Sequence, residues 1–157
     1  MINLEPIGFF HTDFNIETGA PRQGRLMPES KGIIILNKKY TKALRDLDKF
    51  EYIYVLFYFH EITDWESIVT PRCSKHRYGL FATRTPRRPN PIGMTLIKLD
   101  AIKENKLYVS GVDAFDQTPV LDIKPFLPDL DFVITDKNKR VEHDLRHDDT
   151  GFVDTEK

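Results

Sequence analysis

Apolar side chains recur at every second position in several short stretches of the chain. Between residues 52 and 59, Ile53, Val55, Phe57 and Phe59 alternate with Tyr52, Tyr54, Leu56 and Tyr58, so both faces of an extended segment are apolar or aromatic. A strand apolar on both faces belongs in the middle of a sheet. Residues 4–10, 32–36, 94–102 and 107–112 are rich in β-branched or aromatic side chains and also predict strands. The fourth and fifth of these strands are joined by Lys103-Glu104-Asn105-Lys106, a short polar connection that suits an antiparallel hairpin. Helical spacing occurs at Tyr40, Leu44 and Leu47, behind a candidate cap at Asn37, and predicts one short helix packed on the sheet. Many strands, one helix and no alternation of strand and helix point to a mainly β fold, a small antiparallel β-barrel or strongly curved sheet. The expected core is Ile7, Phe9, Ile34, Leu44, Leu47, Ile53, Val55, Phe57, Leu96 and Val109.

A chain of 157 residues with 40% hydrophobic content suffices for one domain with one core, expected over residues 1–141 and followed by a polar, acidic tail over 142–157. An aromatic content of 11% argues for a folded chain. The first residues lack a basic region followed by an apolar run, and no stretch is apolar for the roughly 20 residues a membrane span needs. Cys73 is the lone cysteine, so no internal disulfide or cysteine-built zinc site is available, and the cytoplasm is the expected compartment.

The net charge of −1 conceals a strong segregation. Residues 67–99 contain no Asp or Glu but carry Arg72, Lys75, Arg77, Arg84, Arg87, Arg88 and Lys98. Such a window is a candidate anion-binding surface, or else the solvated face of a loop.

Three segments carry candidate chemistry. In Pro21-Arg22-Gln23-Gly24, the glycine permits a tight backbone while Arg22 and Gln23 offer a cation and an amide. In residues 81–93, Pro86, Pro89 and Pro91 hold the backbone extended and present Arg84, Arg87, Arg88 and Asn90 at low entropic cost. Guanidinium groups suit phosphate or carboxylate. Residues 113–125 place Asp113, Asp116 and Asp122 around a turn after a strand, as acceptors for a cationic ligand or simply as turn-closing groups. His11, His60, His76, His143 and His147 form no convincing metal set, and no metal is expected. A glycine-rich phosphate loop, a dinucleotide fingerprint and a serine nucleophile elbow are all missing from the sequence.

Taken in order, Pro21-Arg22-Gln23, the strand end from Phe57 to His60, Phe81-Ala82-Thr83-Arg84 with Arg88-Pro89-Asn90-Pro91-Ile92-Gly93, and the stretch from Asp116 to Pro125 resemble the TsaA-like family of TrmO-type tRNA methyltransferases. The resemblance is collinear over about residues 5–130 and is that of a short member without the family's C-terminal extension. It implies a β-barrel, non-Rossmann methyltransferase that is homodimeric, binds S-adenosyl-L-methionine, and methylates N6 of threonylcarbamoyladenosine beside the tRNA anticodon. By position, it places cofactor contacts on Pro21, Arg22, Gln23, Phe59, His60, Arg84, Met94, Asp116, Gln117, Thr118 and Pro119. Asp116 and His60 are the candidate proton acceptors, and Arg72, Lys75, Arg77, Arg87 and Arg88 the candidate RNA-binding cations. The chain departs from the family pattern at Thr85, Arg87 and Phe126, where Ser, an aromatic residue and Tyr are usual. Two other functions fit the same residues: methylation of a small molecule, and a sensor that binds S-adenosylmethionine without transferring its methyl group.

Overall fold

The computed structural model describes residues 1–71, 74–145 and 152–153. Six antiparallel strands close into a barrel: β1 (Gly8–Thr12), β3 (Lys31–Leu36), β8 (Lys106–Ser110), β7 (Ile92–Lys103), β4 (Tyr52–Tyr58) and β9 (Pro119–Pro125), in that spatial order, with β9 returning to β1. Two-residue strands form small ribbons outside it, β2 (Ala20–Pro21) with β10 (Phe152–Val153), and β5 (Ile68–Val69) with β6 (Tyr78–Gly79).

The two-residue period dictates the interior. Ile53, Val55 and Phe57 of β4 point inward with Ile34 and Leu36 of β3, Ile97 and Leu99 of β7, Leu107 and Val109 of β8, and Val120 of β9. Phe10 and Phe57 meet edge to face, 5.9 Å between ring centroids. Strand β4 is flanked by β7 and β9, and its outer residues Tyr52, Tyr54 and Leu56 are half-buried, as the alternation predicts.

The structure differs from the sequence expectations in detail. Strand β1 begins at Gly8 rather than residue 4, and Phe10, fully buried, takes the core position expected for Phe9, which is 41% exposed. A one-residue shift in register exchanges the faces of a strand. Likewise Leu96 faces outward, half-buried, between the inward-facing Thr95 and Ile97. Ile7 and Leu47 pack against the core from its margin. The helix expected around Tyr40 is a 3-10 turn, Lys38–Leu44, capped by Asn37, whose side chain accepts from the Lys39 N–H. It cannot run on, because Arg45 is extended and Asp46 is left-handed (φ 67°). Strand β9 was not anticipated, nor were α1 (Pro128–Asp131) and α2 (Asp136–Leu145), the latter crossing the boundary expected at residue 141. Among the described residues, no helix is long and apolar enough to cross a membrane.

Antiparallel pairing places the connections β1–β3, β4–β7 and β8–β9 at one end of the barrel. These are the long loops, residues 13–30, 59–91 and 111–118, and they contain the segments singled out in the sequence. The other end holds the β7–β8 hairpin turn and the 3-10 turns between β3 and β4.

Candidate functional site

The first and third loops are locked together. Gly24 lies against Gly111 so closely that a Cβ on Gly24 would fall 1.6 Å from the Gly111 carbonyl oxygen, and Gly111 itself has φ +74°. The Gly111 N–H donates to the Ser30 carbonyl (2.8 Å), and the Ser30 hydroxyl to the Val112 carbonyl (2.8 Å). Asp113 completes the joint. Its Oδ2 accepts from the Gly24 N–H (3.0 Å) and from the Thr95 hydroxyl inside the barrel (3.1 Å). Its Oδ1 is buried and has no hydrogen-bond partner among the described residues. Burial pushes the carboxyl up to about 6, and the bonds from Gly24 and Thr95 offset only part of that.

The second loop reaches the first through Arg84, whose Nη1 donates to Gln23 Oε1 (3.2 Å) across 61 residues of sequence. Gln23 Nε2 in turn donates to the Arg22 carbonyl (3.0 Å). Arg22 is half-buried, and Pro21 is buried in β2 opposite Phe152. Arg88 turns inward on its own loop: its Nη1 donates to the carbonyls of Thr83 (2.9 Å) and Thr85 (3.4 Å), and its guanidinium lies 5.6 Å from the Phe81 ring centroid. That leaves Phe81, at 80% exposure, standing on a fixed turn. Arg87 is exposed and ion-paired with Asp64; Lys75 and Arg77 are exposed. Arg72 and Cys73 lie outside the described residues, as do His147 and the side chain of His143.

In the third loop, Asp116 Oδ1 accepts from the Thr12 N–H (3.2 Å) and lies 3.7 Å from His11 Nδ1. Gln117 has a left-handed backbone (φ 61°) and brings its Nε2 to 3.1 Å from the same imidazole nitrogen. Thr118 is buried, its carbonyl accepting from the Phe10 N–H (2.9 Å), and Pro119 opens β9 opposite Phe9. Thus Asp116 and Gln117 are fixed on the end of β1. A cleft of about 580 Å³, lined by His11, Thr12, Lys31, Tyr108 and Asp116 among others, opens beside them.

At the same end, Phe59 follows β4 and packs on Phe57 (ring centroids 5.0 Å apart), and its N–H donates to the Pro91 carbonyl (2.8 Å). His60 is next, its Nε2 3.3 Å from Glu61 Oε1. Met94 projects outward from β7 and is exposed. The structure therefore joins Gln23 to Arg84 directly, ties both to the third loop through Gly24, and places Phe59, His60 and Met94 at the same end, Phe59 bonded to the second loop through the Pro91 carbonyl. Sequence reasoning missed Thr95 as a site-supporting residue, and it noted Asp113 without seeing that this carboxylate is the buried joint. The only sequence signal was the position of Asp113 immediately after a strand and three residues before Asp116. Among the described residues, no three His, Cys, Asp or Glu side chains gather as a metal site.

Comparison with known proteins matches residues 9–132 to the family described as the tRNA-methyltransferase O N-terminal domain. A probable S-adenosyl-L-methionine-binding protein of Pyrococcus abyssi is 35% identical over 131 residues, covering 83% of this chain and 71% of that protein. The tRNA (adenine(37)-N6)-methyltransferase of Mus musculus is 37% identical over 134 residues, covering 81% of this chain but 31% of its own length. The crystal structure of TrmO from Pseudomonas aeruginosa superimposes with a TM-score of 0.70 at 34% identity, covering 85% of this chain and 59% of that one.

Proposed function

The chain belongs to the family of the tRNA-methyltransferase O N-terminal domain, and from that premise we propose that it transfers the methyl group of S-adenosylmethionine to N6 of adenine 37 in tRNA, with threonylcarbamoyladenosine as the acceptor. The observation that carries this reading is the Arg84–Gln23 hydrogen bond, which unites two family segments at the barrel end where the third loop presents Asp116.

The side chains at that end suit the methyl donor. Arg84 offers a guanidinium for the amino-acid carboxylate, Asp116 an exposed carboxylate for the cationic groups, and Phe59, Met94 and Pro119 apolar surface for adenine. Pro21, Arg22, Gln23, His60, Gln117 and Thr118 complete the proposed donor site. S-adenosylmethionine supplies a methyl group activated by positive sulfur.

The protein's part is mainly to hold N6 in line with that methyl group. The acylated N6 is a weak nucleophile, so a nearby acceptor for its proton lowers the barrier. Asp116 is the proposed acceptor, with its Oδ1 held by the Thr12 N–H and its side chain at the rim of the cleft; His60 is the second candidate.

Lys75, Arg77 and Arg87, with Arg72 beside them in sequence, form the proposed phosphate-facing edge. Arg88 serves that edge by holding the loop's carbonyls, and the exposed Phe81 ring is a stacking surface for an unstacked loop base. The homodimer is supported by an exposed apolar run, Leu130, Phe132, Val133 and Ile134, the last at 86% exposure. Lengths differ among relatives, since this chain spans 31% of the mouse enzyme and 59% of the Pseudomonas TrmO chain, so tRNA choice is part of the proposal.

The test is transfer of labelled methyl from S-adenosylmethionine to total tRNA from cells lacking this protein, with mass analysis of the nucleosides. A methyl gained on threonylcarbamoyladenosine supports the reading. Methylation of unmodified adenine 37 alone would remove the threonylcarbamoyl assignment. No transfer, with the donor demonstrably bound, would point to a small-molecule acceptor or to a sensor.

A further inference from the structure

Among the described residues, Asp113 is the group whose chemistry the proposed reaction does not use and whose placement is costly. Its carboxyl is buried against the Gly24 loop, with one oxygen accepting two hydrogen bonds and the other accepting none among the described residues. A protein that kept this side chain for stability alone would do better with a neutral one, because burying an under-paired carboxylate opposes folding. The two donors come from different places: Gly24 directly follows Gln23, and Thr95 directly follows Met94. Asp113 itself stands three residues before Asp116. One carboxylate oxygen thus touches, or adjoins in sequence, three of the segments assigned to the methyl donor.

We infer that Asp113 is a positioning residue of the methyl-donor site, its Oδ2 pinning the Gly24 N–H to Thr95 and thereby setting Arg22, Gln23 and, through Gln23 Oε1, the Arg84 guanidinium. This rests on the proposed donor site. The path is short: Asp113 Oδ2 to Gly24 N at 3.0 Å, then one peptide to Gln23, then Gln23 Oε1 to Arg84 Nη1 at 3.2 Å. Without the acceptor, the Gly24 N–H would be left unpaired beside the Gly111 backbone, and the loop would have to move to satisfy it. Movement there carries the arginine's partner with it. Asp113 touches no reacting atom in this scheme. Its effect is on the fit of the donor, not on the tRNA.

The experiment measures donor affinity by calorimetry, kcat and KM for donor and for tRNA, and melting temperature, in Asp113→Ala, Asp113→Asn, Thr95→Val and Arg84→Ala. Asp113→Ala is expected to weaken the donor about tenfold while KM for tRNA stays within about twofold. Asp113→Asn, whose amide oxygen can accept both bonds, is expected to recover donor affinity to within about threefold of the parent. Thr95→Val, losing one donor to the carboxylate, should cost about threefold. A merely structural role would lower melting temperature and all kinetic parameters together, and that result overturns the inference. So does donor affinity unchanged in Asp113→Ala while Arg84→Ala weakens it. If neither substitution affects donor binding, the assignment of the site itself fails, and the inference with it. Should Asp113→Ala not fold, Thr95→Val decides: weaker donor binding at unchanged melting temperature supports the inference, and unchanged binding overturns it.

Discussion

The two ends of this barrel are built from the same strands and differ in almost everything else. At the hairpin end, Glu104 takes a left-handed backbone (φ 54°) to turn β7 into β8, and Asn105 is buried, its amide donating to the Leu36 carbonyl. The Asn105 amide closes the hairpin turn, and the Asn37 side chain caps the 3-10 turn beside it. At the loop end, Asp113 keeps an oxygen unpaired among the described residues, Arg84 reaches Gln23 from a different loop, and Asp116 and His11 stand exposed beside a cleft. A turn that only reverses the chain satisfies its polar groups within the fold, whereas a binding site leaves polar capacity for something else.

Substitutions can break or sharpen that contrast. The largest effect belongs to the shared interior: Phe57→Ala removes a ring packed on Phe10, Phe59 and Gly93, and should cost about 3–5 kcal/mol in denaturant unfolding, so that both ends fail together. Next comes the buried charge at the loop end. Asp113 has its carboxyl raised from 3.8 to about 6, so the folded chain holds a proton that the unfolded chain has released between those values. Its penalty is absent below about pH 4 and complete above about pH 6, with a size of roughly 3 kcal/mol. Unfolding measured from pH 8 down to 5 should show stability gained by the parent relative to Asp113→Asn, and parallel pH curves would refute it. Arg84→Ala should leave stability nearly unchanged but weaken methyl-donor binding about tenfold to a hundredfold, as loss of a charge-assisted contact does. The smallest effect lies at the hairpin end: Glu104→Gly relieves a left-handed residue and should stabilise the fold by up to about 1 kcal/mol without changing donor affinity.

Much of this contrast was legible in the sequence. The alternation in β4 identified a central strand because its inward and outward residues are both apolar, and Lys103-Glu104-Asn105-Lys106 marked the hairpin. The loop-end segments stood out because proline, arginine and aspartate were concentrated where scaffolding needs none of them. Register was harder to read. Phe9 and Phe10 are adjacent and equally apolar, and only pairing of Gly8 with Leu36 and Val120 decides which faces inward. Strand β9 begins and ends in proline and carries Asp122 and Lys124, so its composition reads as a turn although its pairing with β4 makes it a strand. The bonds of Asp113 were hidden for another reason: nothing local to its sequence shows that Gly24 and Thr95, from two distant segments, donate to it.

The central claim is that the methyl donor sits at the loop end. Backbone hydrogen exchange with and without S-adenosylmethionine tests it most directly. The account predicts added protection at residues 22–24, 83–88 and 113–118, with residues 103–106 and 37–49 unchanged. Protection confined to the hairpin end, or bound donor that leaves the three loops as exchangeable as before, would contradict it.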